Sequence, residues 1–374
     1  MSCASEGLSP PRFAFKNAFA EATRPLRLGQ VTGIAAGADR TLYLIHRGSN
    51  TFFSTKPMAE PAIVRLSESG HLLGTLPNTA PFVVPHGLAI DHHHSLWATD
   101  VATHRVYRLD ATTGAVQLTL GRGSAGAGAA AFNKPTDVAV SERTDEVYVA
   151  DGYGNSRIAV FSYAGRFLRE WGSRGRGPGQ FQVGRGVGWF QGGASDLASR
   201  SSPPDRPSPP PLAPTARPHR SPSLPGQVPH SIALDASDTV YVADRENARV
   251  QVFTAAGAHR ATWPSKAGLG AGANHVWSRH VSSVSYNKQL DLLSVVEGGD
   301  VVLRTTSGCV LSQSAVRMQW PHDAVVLPPA GATRSRSVLA GASELVVFVA
   351  EMDAHRLVSF ASTSEVEEDG GLVY

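Results

Sequence analysis

Cysteine is nearly absent from this 374-residue chain, which has only Cys3 and Cys309. The two lie near opposite ends, so no disulfide framework can be read and a mutual bridge is not expected. No Asn-x-Ser/Thr acceptor for N-linked sugar occurs. Both absences favour a non-secreted product. No apolar run reaches the roughly 20 residues that a membrane-spanning helix needs, so no helical span is expected. Met1–Pro25 lacks the uninterrupted apolar core of a secretory signal, and Glu6 and Glu21 argue against a transit peptide. Residues 1–27 are therefore read as a disordered leader, and 363–374 as a C-terminal tail. Charge of one sign is also missing outside one segment. Residues 184–226 hold Arg185, Arg200, Arg206, Arg217 and Arg220 against Asp196 and Asp205. Elsewhere basic and acidic residues balance at 29 each. That leaves no electrostatic footprint for nucleic acid.

What the chain does have is a repeat. Pro85-His-Gly-Leu-Ala-Ile-Asp, Pro135-Thr-Asp-Val-Ala-Val and Pro229-His-Ser-Ile-Ala-Leu-Asp share one pattern. Each is followed by a second apolar run: Ser95-Leu-Trp-Ala-Thr-Asp, Glu146-Val-Tyr-Val-Ala-Asp and Thr239-Val-Tyr-Val-Ala-Asp. A third run then opens on Arg105, Arg157 or Arg249. Alternating and β-branched runs bounded by Asp, Gly, Ser and Asn read as short strands joined by tight turns. A fourth strand follows in places, as in Gly165-Arg-Phe-Leu-Arg-Glu-Trp. Four short antiparallel strands per repeat make the blade of a β-propeller. Repeat starts near residues 31, 85, 135, 229, 280 and 321 predict an all-β, six-bladed β-propeller over 28–362.

One segment breaks the spacing. Residues 184–226 hold ten of the 25 prolines, show no periodicity and cannot build a core. Two readings fit: a disordered surface loop, or a translated intron. The second is favoured, because removing the segment restores the repeat length.

Three histidines share one phase of the repeat: His86, His230 and His322, each following a proline at a strand start. They fall in blades two, four and six, which places them three-fold about the central axis. Three imidazoles around one point make an open zinc site. A lone Pro-His step is usually a turn residue; three at one phase in alternate blades are not. The start of a blade's first strand and the end of its second share a face, which adds Arg47, Tyr153 and Arg245. Beside a metal, the arginines suit a carboxylate clamp and the tyrosine a base. Their bland readings are loop bracing and aromatic packing. Asp323 could cap a turn or pair with His322. His46 has no partner in the repeat and is read as structural. The run His92-His93-His94 falls in a hairpin and is read as a solvated turn.

These residues match a family. The chain resembles the peptidyl-α-hydroxyglycine α-amidating lyases, the second catalytic unit of peptidylglycine α-amidating monooxygenase, which are NHL-repeat propellers. The match rests on Val84-Pro-His-Gly-Leu, Lys134-Pro-Thr-Asp-Val-Ala-Val, Asp151-Gly-Tyr-Gly-Asn-Ser-Arg, Val242-Ala-Asp-Arg-Glu-Asn-Ala-Arg and Trp320-Pro-His-Asp. Similar segments run from residue 29 to about 358, apart from the interruption. The resemblance implies a carbon–nitrogen lyase that cleaves a peptide with a C-terminal α-hydroxyglycine into a peptide amide and glyoxylate. It implies zinc on His86, His230 and His322, with Tyr153 as base and Arg47 and Arg245 facing the substrate. It implies structural calcium on Asp323 with the main-chain oxygens of Leu88 and Ile34, oxygen donors that suit this ion. It also implies a secretory or extracellular setting, at odds with the missing signal, and a separate monooxygenase to supply the hydroxylated peptide. A monomer is expected.

The chain departs from the resemblance in places. The positions that match two disulfides of the animal members carry Asn133, Gly154, Tyr241 and Val252. Trp320 stands where the relatives have Met, and the fifth blade matches poorly. Two rival readings remain. A non-catalytic NHL-type propeller that binds peptide or protein on its face would not need histidine in alternate blades. A propeller lactonase would use Asp, Glu and Asn ligands, which do not recur here at one phase.

Overall fold

The computed structural model describes residues 12–18, 28–181, 228–265, 280–314, 318, 320–330 and 345–363. The segment 184–226 and most of the expected leader lie outside the described residues. In chain order the strands are β1 (Arg12–Ala18), then β2 (Val31–Ala36), β3 (Leu42–His46), β4 (Ile63–Leu66) and β5 (Leu72–Leu76) as blade one. Blade two holds β6 (Pro85–Ile90), β7 (Ser95–Asp100), β8 (Arg105–Asp110) and β9 (Val116–Leu120). Blade three holds β10 (Asp137–Val140), β11 (Val147–Asp151), β12 (Arg157–Phe161) and β13 (Phe167–Trp171). A short parallel pair follows, β14 (Ser173–Arg174) with β15 (Gln180–Phe181). Blade four holds β16 (Pro229–Leu234), β17 (Val240–Asp244), β18 (Arg249–Phe253) and β19 (His259–Pro264). Blade five holds β20 (Val281–Asn287), β21 (Leu292–Glu297), β22 (Asp300–Thr305) and β23 (Val310–Gln313). Blade six holds β24 (Pro321–Leu327), β25 (Val346–Glu351) and β26 (Arg356–Thr363). The expected six-bladed, all-β architecture is borne out, with every blade start where the repeat spacing put it.

Blade six takes its outermost strand from the other end of the chain. β1 pairs antiparallel with β26, Phe13 opposite Ser362 and Phe15 opposite Phe360. This differs from the reading of residues 1–27 as a disordered leader. A circular array of sheets has one seam where the chain must close on itself, and pairing the first strand with the last blade closes it with backbone hydrogen bonds. Cys309 is also disulfide-bonded. The expectation about Cys3 lies outside the described residues.

Each seam between blades carries its own apolar cluster. Tyr43 and Ile45 of blade one pack with Leu96 and Tyr107 of blade two. Leu42 and Leu44 pack on Phe348 and Leu357 across the closing seam of blades six and one. Inner strands are thus covered on both faces, which is why Val147-Tyr148-Val149-Ala150 is buried throughout. Outer strands are half covered, as in β9, where three of five residues are exposed.

A buried acid ends the second strand of blades three to six, and each takes an arginine from the strand beside it. Asp151 pairs with Arg157 at 2.8 Å and Asp244 with Arg249 at 2.6 Å, while Glu297 pairs with Arg304 and Glu351 with Arg356. In blade two, Asp100 instead accepts the backbone N–H groups of Val83, Val84, Ala102 and Thr103. Arg157 is buried and also donates to the carbonyls of Ala131 and Gly128. Arg157→Ala would leave Asp151 charged in a dry site, an expected loss of about 3–5 kcal/mol. Urea unfolding of the variant checks this; an unchanged midpoint would remove the pair from the account of stability.

Candidate metal centre

The three phase-matched histidines meet. One ring nitrogen from each of His86, His230 and His322, a candidate metal ligand, lies within 4.8 Å of the other two, and all three residues are buried. Ring centroids are 4.8, 4.8 and 5.0 Å apart. Local backbone aims them. The inner strands of blades four and six bulge between Pro229 and Ser231 and between Pro321 and Asp323, and blade two shifts between Pro85 and Leu88. A bulge leaves one residue out of the ladder and turns its side chain off the sheet face, here toward the channel. In blade two a glycine follows the histidine because the next blade is too close for a side chain. A Cβ on Gly87 would stand 2.5 Å from the Thr136 carbonyl oxygen.

That neighbouring carbonyl sets the tautomer. His86 Nδ1 lies 2.8 Å from Thr136 O, His230 Nδ1 2.6 Å from Ser282 O and His322 Nδ1 2.7 Å from Thr32 O. A carbonyl accepts only, so each Nδ1 carries the proton and each Nε2 keeps its lone pair for the axis. Sequence reading missed these acceptors, although the signal is in the repeat. The position that holds histidine in blades two, four and six holds Thr32, Thr136 or Ser282 in blades one, three and five. Burial first, then nearby positive groups, holds the imidazoles neutral. His322 is pushed down to about 3, with Arg47 and Arg245 assisting. His86 and His230 are likewise pushed well below the usual histidine range by burial and by their neighbours. Neutral imidazole is the form that ligates metal.

Tyr153 joins the ring. Its hydroxyl lies 3.0 Å from His86 Nε2 and 3.1 Å from His230 Nε2, and it accepts from Arg245 Nη1 at 3.3 Å. The Phe52 ring meets Tyr153 edge-on at 5.4 Å. Arg245 donates from Nε to Glu246 at 2.7 Å. Burial opposes its charge most strongly, but Glu246 and Tyr153 together outweigh this and raise its pKa. Glu246, unremarked in the sequence, is itself pushed up to about 7 by burial, against the pull of Arg245. Arg47 is buried on the far side, where Nη1 donates to Gln30 at 2.8 Å and Nε to the Pro85 carbonyl at 3.3 Å. Burial pulls its pKa down to about 10, so it stays cationic near neutral pH.

Carboxyl groups follow this phase directly in blades three and six, as Asp137 and Asp323. Asp323 accepts N–H groups from Ile34 at 3.0 Å and its neighbour Ala324 at 2.9 Å, and the Ser283 hydroxyl at 2.6 Å. Burial pushes it up to about 6. Asp137 of blade three is pushed up to about 7, by burial and then by Asp323. Leu88 is buried in the inner strand of blade two, next to blade one. His46 is structural, as expected: its Nδ1 accepts from the N–H groups of Gly29 and Gly48.

The positions matching the relatives' disulfides are paired in space. Tyr241 faces Val252 across β17 and β18. Gly154 donates its N–H to the Asn133 carbonyl at 2.8 Å, and a Cβ on Gly154 would stand 2.0 Å from the Asn133 side chain. The asparagine fills the space where a bridge would lie.

Comparison with known proteins agrees with the fold. The NHL repeat matches residues 132–161 and 227–253. Rat peptidylglycine α-amidating monooxygenase is 33% identical over 245 residues, 60% of this chain and 20% of the rat chain. A probable peptidyl-α-hydroxyglycine α-amidating lyase of Caenorhabditis elegans is 33% identical over 176 residues, 46% of this chain and 38% of that one. Peptidyl-α-hydroxyglycine α-amidating lyase 2 of Drosophila melanogaster is 34% identical over 155 residues, 38% of each chain. The matched region thus spans well under half the length of these relatives. Among solved structures, a streptogramin B lyase aligns with a TM-score of 0.51 at 11% identity, over 90% of this chain and 95% of that one. A Xanthomonas campestris gluconolactonase also aligns at 0.51, with 14% identity and 95% coverage of both. At such identities the likeness is one of fold. Among the described residues no helix is long and apolar enough to cross a membrane. The chain is an NHL-repeat, six-bladed β-propeller related to the peptidyl-α-hydroxyglycine α-amidating lyases.

Proposed function

We propose that this propeller is a zinc-dependent lyase that cleaves a peptide bearing a C-terminal α-hydroxyglycine into a peptide amide and glyoxylate. One observation carries the reading: the Tyr153 hydroxyl sits between the free Nε2 atoms of His86 and His230 with Arg245 beside it. Three buried neutral imidazoles with bare Nε2 atoms fit zinc, with a position left for substrate. When bound there, zinc supplies Lewis acidity to a hydroxyl of the substrate.

The chain's own residues do the rest. Tyr153 takes the proton of the α-hydroxyl. The oxygen's electron pair closes a C=O bond, and the C–N bond breaks with its pair moving to the amide nitrogen. That nitrogen takes back a proton, so the products are a primary amide and an aldehyde acid with no net redox change. Arg47 and Arg245 hold the carboxylate that departs with glyoxylate. Phe52 walls the tyrosine and limits water. Asp323, with the main-chain oxygens of Leu88 and Ile34, would hold calcium. The support is that oxygen donors suit calcium, and that a cation would offset the burial that pushes Asp323 up.

The decisive measurement is glyoxylate release from a synthetic α-hydroxyglycyl peptide by zinc-loaded protein. Release above the uncatalysed rate is expected. Folded, zinc-loaded protein that releases none would overturn the lyase and favour a peptide-binding propeller.

A further inference from the structure

A second set of metal-ligating side chains lies at the far end of the inner strands from the channel histidines. His92 and His93 sit in the hairpin that joins β6 to β7, and Asp145 sits in the equivalent hairpin of the next blade, between β10 and β11. Both imidazole Nε2 atoms reach the same oxygen, Asp145 Oδ1, at 3.0 Å from His92 and 2.9 Å from His93. The two imidazole rings are 3.9 Å apart. The sequence reading of this run as a solvated turn therefore missed a partner that only the fold brings near.

The arrangement is built rather than loose. Asp91 Oδ1 accepts the N–H groups of His93 and Ser95, and Asp91 Oδ2 accepts from Trp97 Nε1 and the Tyr163 hydroxyl. Tyr163 also packs on His93, at 4.9 Å. Asp145 is fixed by its own turn, its N–H donating to the Ser141 carbonyl. Its φ of +56° is the left-handed conformation that aspartate tolerates in a tight turn.

We propose that His92, His93 and Asp145 bind a divalent transition ion, zinc by preference, that clips blade two to blade three on the face opposite the channel site. Without an ion, one carboxylate oxygen must serve two imidazoles whose tilted rings lie 3.9 Å apart. An ion there is bound by two nitrogen lone pairs and a carboxylate, a donor set that suits zinc and copper and not calcium. The side chains are 27%, 45% and 47% exposed, so water completes the coordination and the ion exchanges with solvent. The site does not depend on the lyase reading.

Two measurements test it on the full chain. Equilibrium dialysis against Zn2+ should show one equivalent more in the wild type than in His93→Ala or Asp145→Asn. Both variants should keep wild-type glyoxylate release, or wild-type affinity for Zn2+ at the channel site. Copper(II) titrated into the His86→Ala/His230→Ala double variant, where only one channel imidazole remains, should give an electron paramagnetic resonance signal split by two imidazole nitrogens. Adding Asp145→Asn and His93→Ala should remove it. If the surface variants bind as much zinc as the wild type, or the copper signal survives the added changes, the pair is an ordinary imidazole–carboxylate contact and the proposal fails.

Discussion

His230→Ala should abolish stoichiometric zinc binding in the channel and lower glyoxylate release by roughly a thousand-fold or more. On the proposed reading three imidazoles hold the ion, and an alanine leaves only two, His86 and His322, with ring centroids 4.8 Å apart. Losing a Lewis acid worth several kcal/mol of transition-state stabilisation corresponds to about that factor. The fold should survive, because His230 lies at a bulge and touches the next blade mainly through Nδ1 and the Ser282 carbonyl. Metal content and circular dichroism measured on one sample separate the two effects. A folded variant that keeps both zinc and activity would refute the ligand set. Equal effects are expected for His86 and His322, since the three sites are built alike.

Tyr153→Phe separates proton transfer from metal binding. The hydroxyl is the only part removed, and the ring should keep its edge contact with Phe52. General-base roles of this kind are worth about 100- to 10,000-fold in kcat, so a loss in that range is expected with zinc content unchanged. KM should move little, because the proposed reading gives the substrate's carboxylate to Arg47 and Arg245. If kcat stays near wild type, the proton leaves by another route and the tyrosine serves only to position Arg245. If zinc is lost as well, the hydroxyl belongs to the metal site itself.

How much of this was legible in the sequence varied with the range of the interaction. Blade starts were legible because each proline or valine opens a strand whose partner follows within about 20 residues. The histidine trio was legible for the same reason, since equal phase in a closed array means equal radius. The closing strand was not. Residues 12–18 pair with a strand more than 330 residues later, and no turn links them. The carbonyls that orient the histidines are backbone atoms, so no residue type marks them. Their only trace is the alternation of histidine with Thr32, Thr136 and Ser282. Asp145 was invisible as a neighbour of His92 and His93 because hairpins of adjacent blades meet only once the ring is formed.

Each histidine is aimed by a carbonyl belonging to the blade after it, and this couples ligand geometry to assembly. His86 reads the seam between blades two and three, His230 that between four and five, and His322 that between six and one. The last is the closing seam, the one completed by the first strand of the chain. Until blade one docks on blade six, His322 lacks the Thr32 carbonyl that fixes its tautomer and direction. On the proposed reading, zinc would not be gripped by a partly wound chain, and once gripped it would tie alternate seams together from the inside. Metal affinity becomes a gauge of circular integrity. A nick or deletion far from the channel that opens the N-terminal strand should appear first as a leak of zinc.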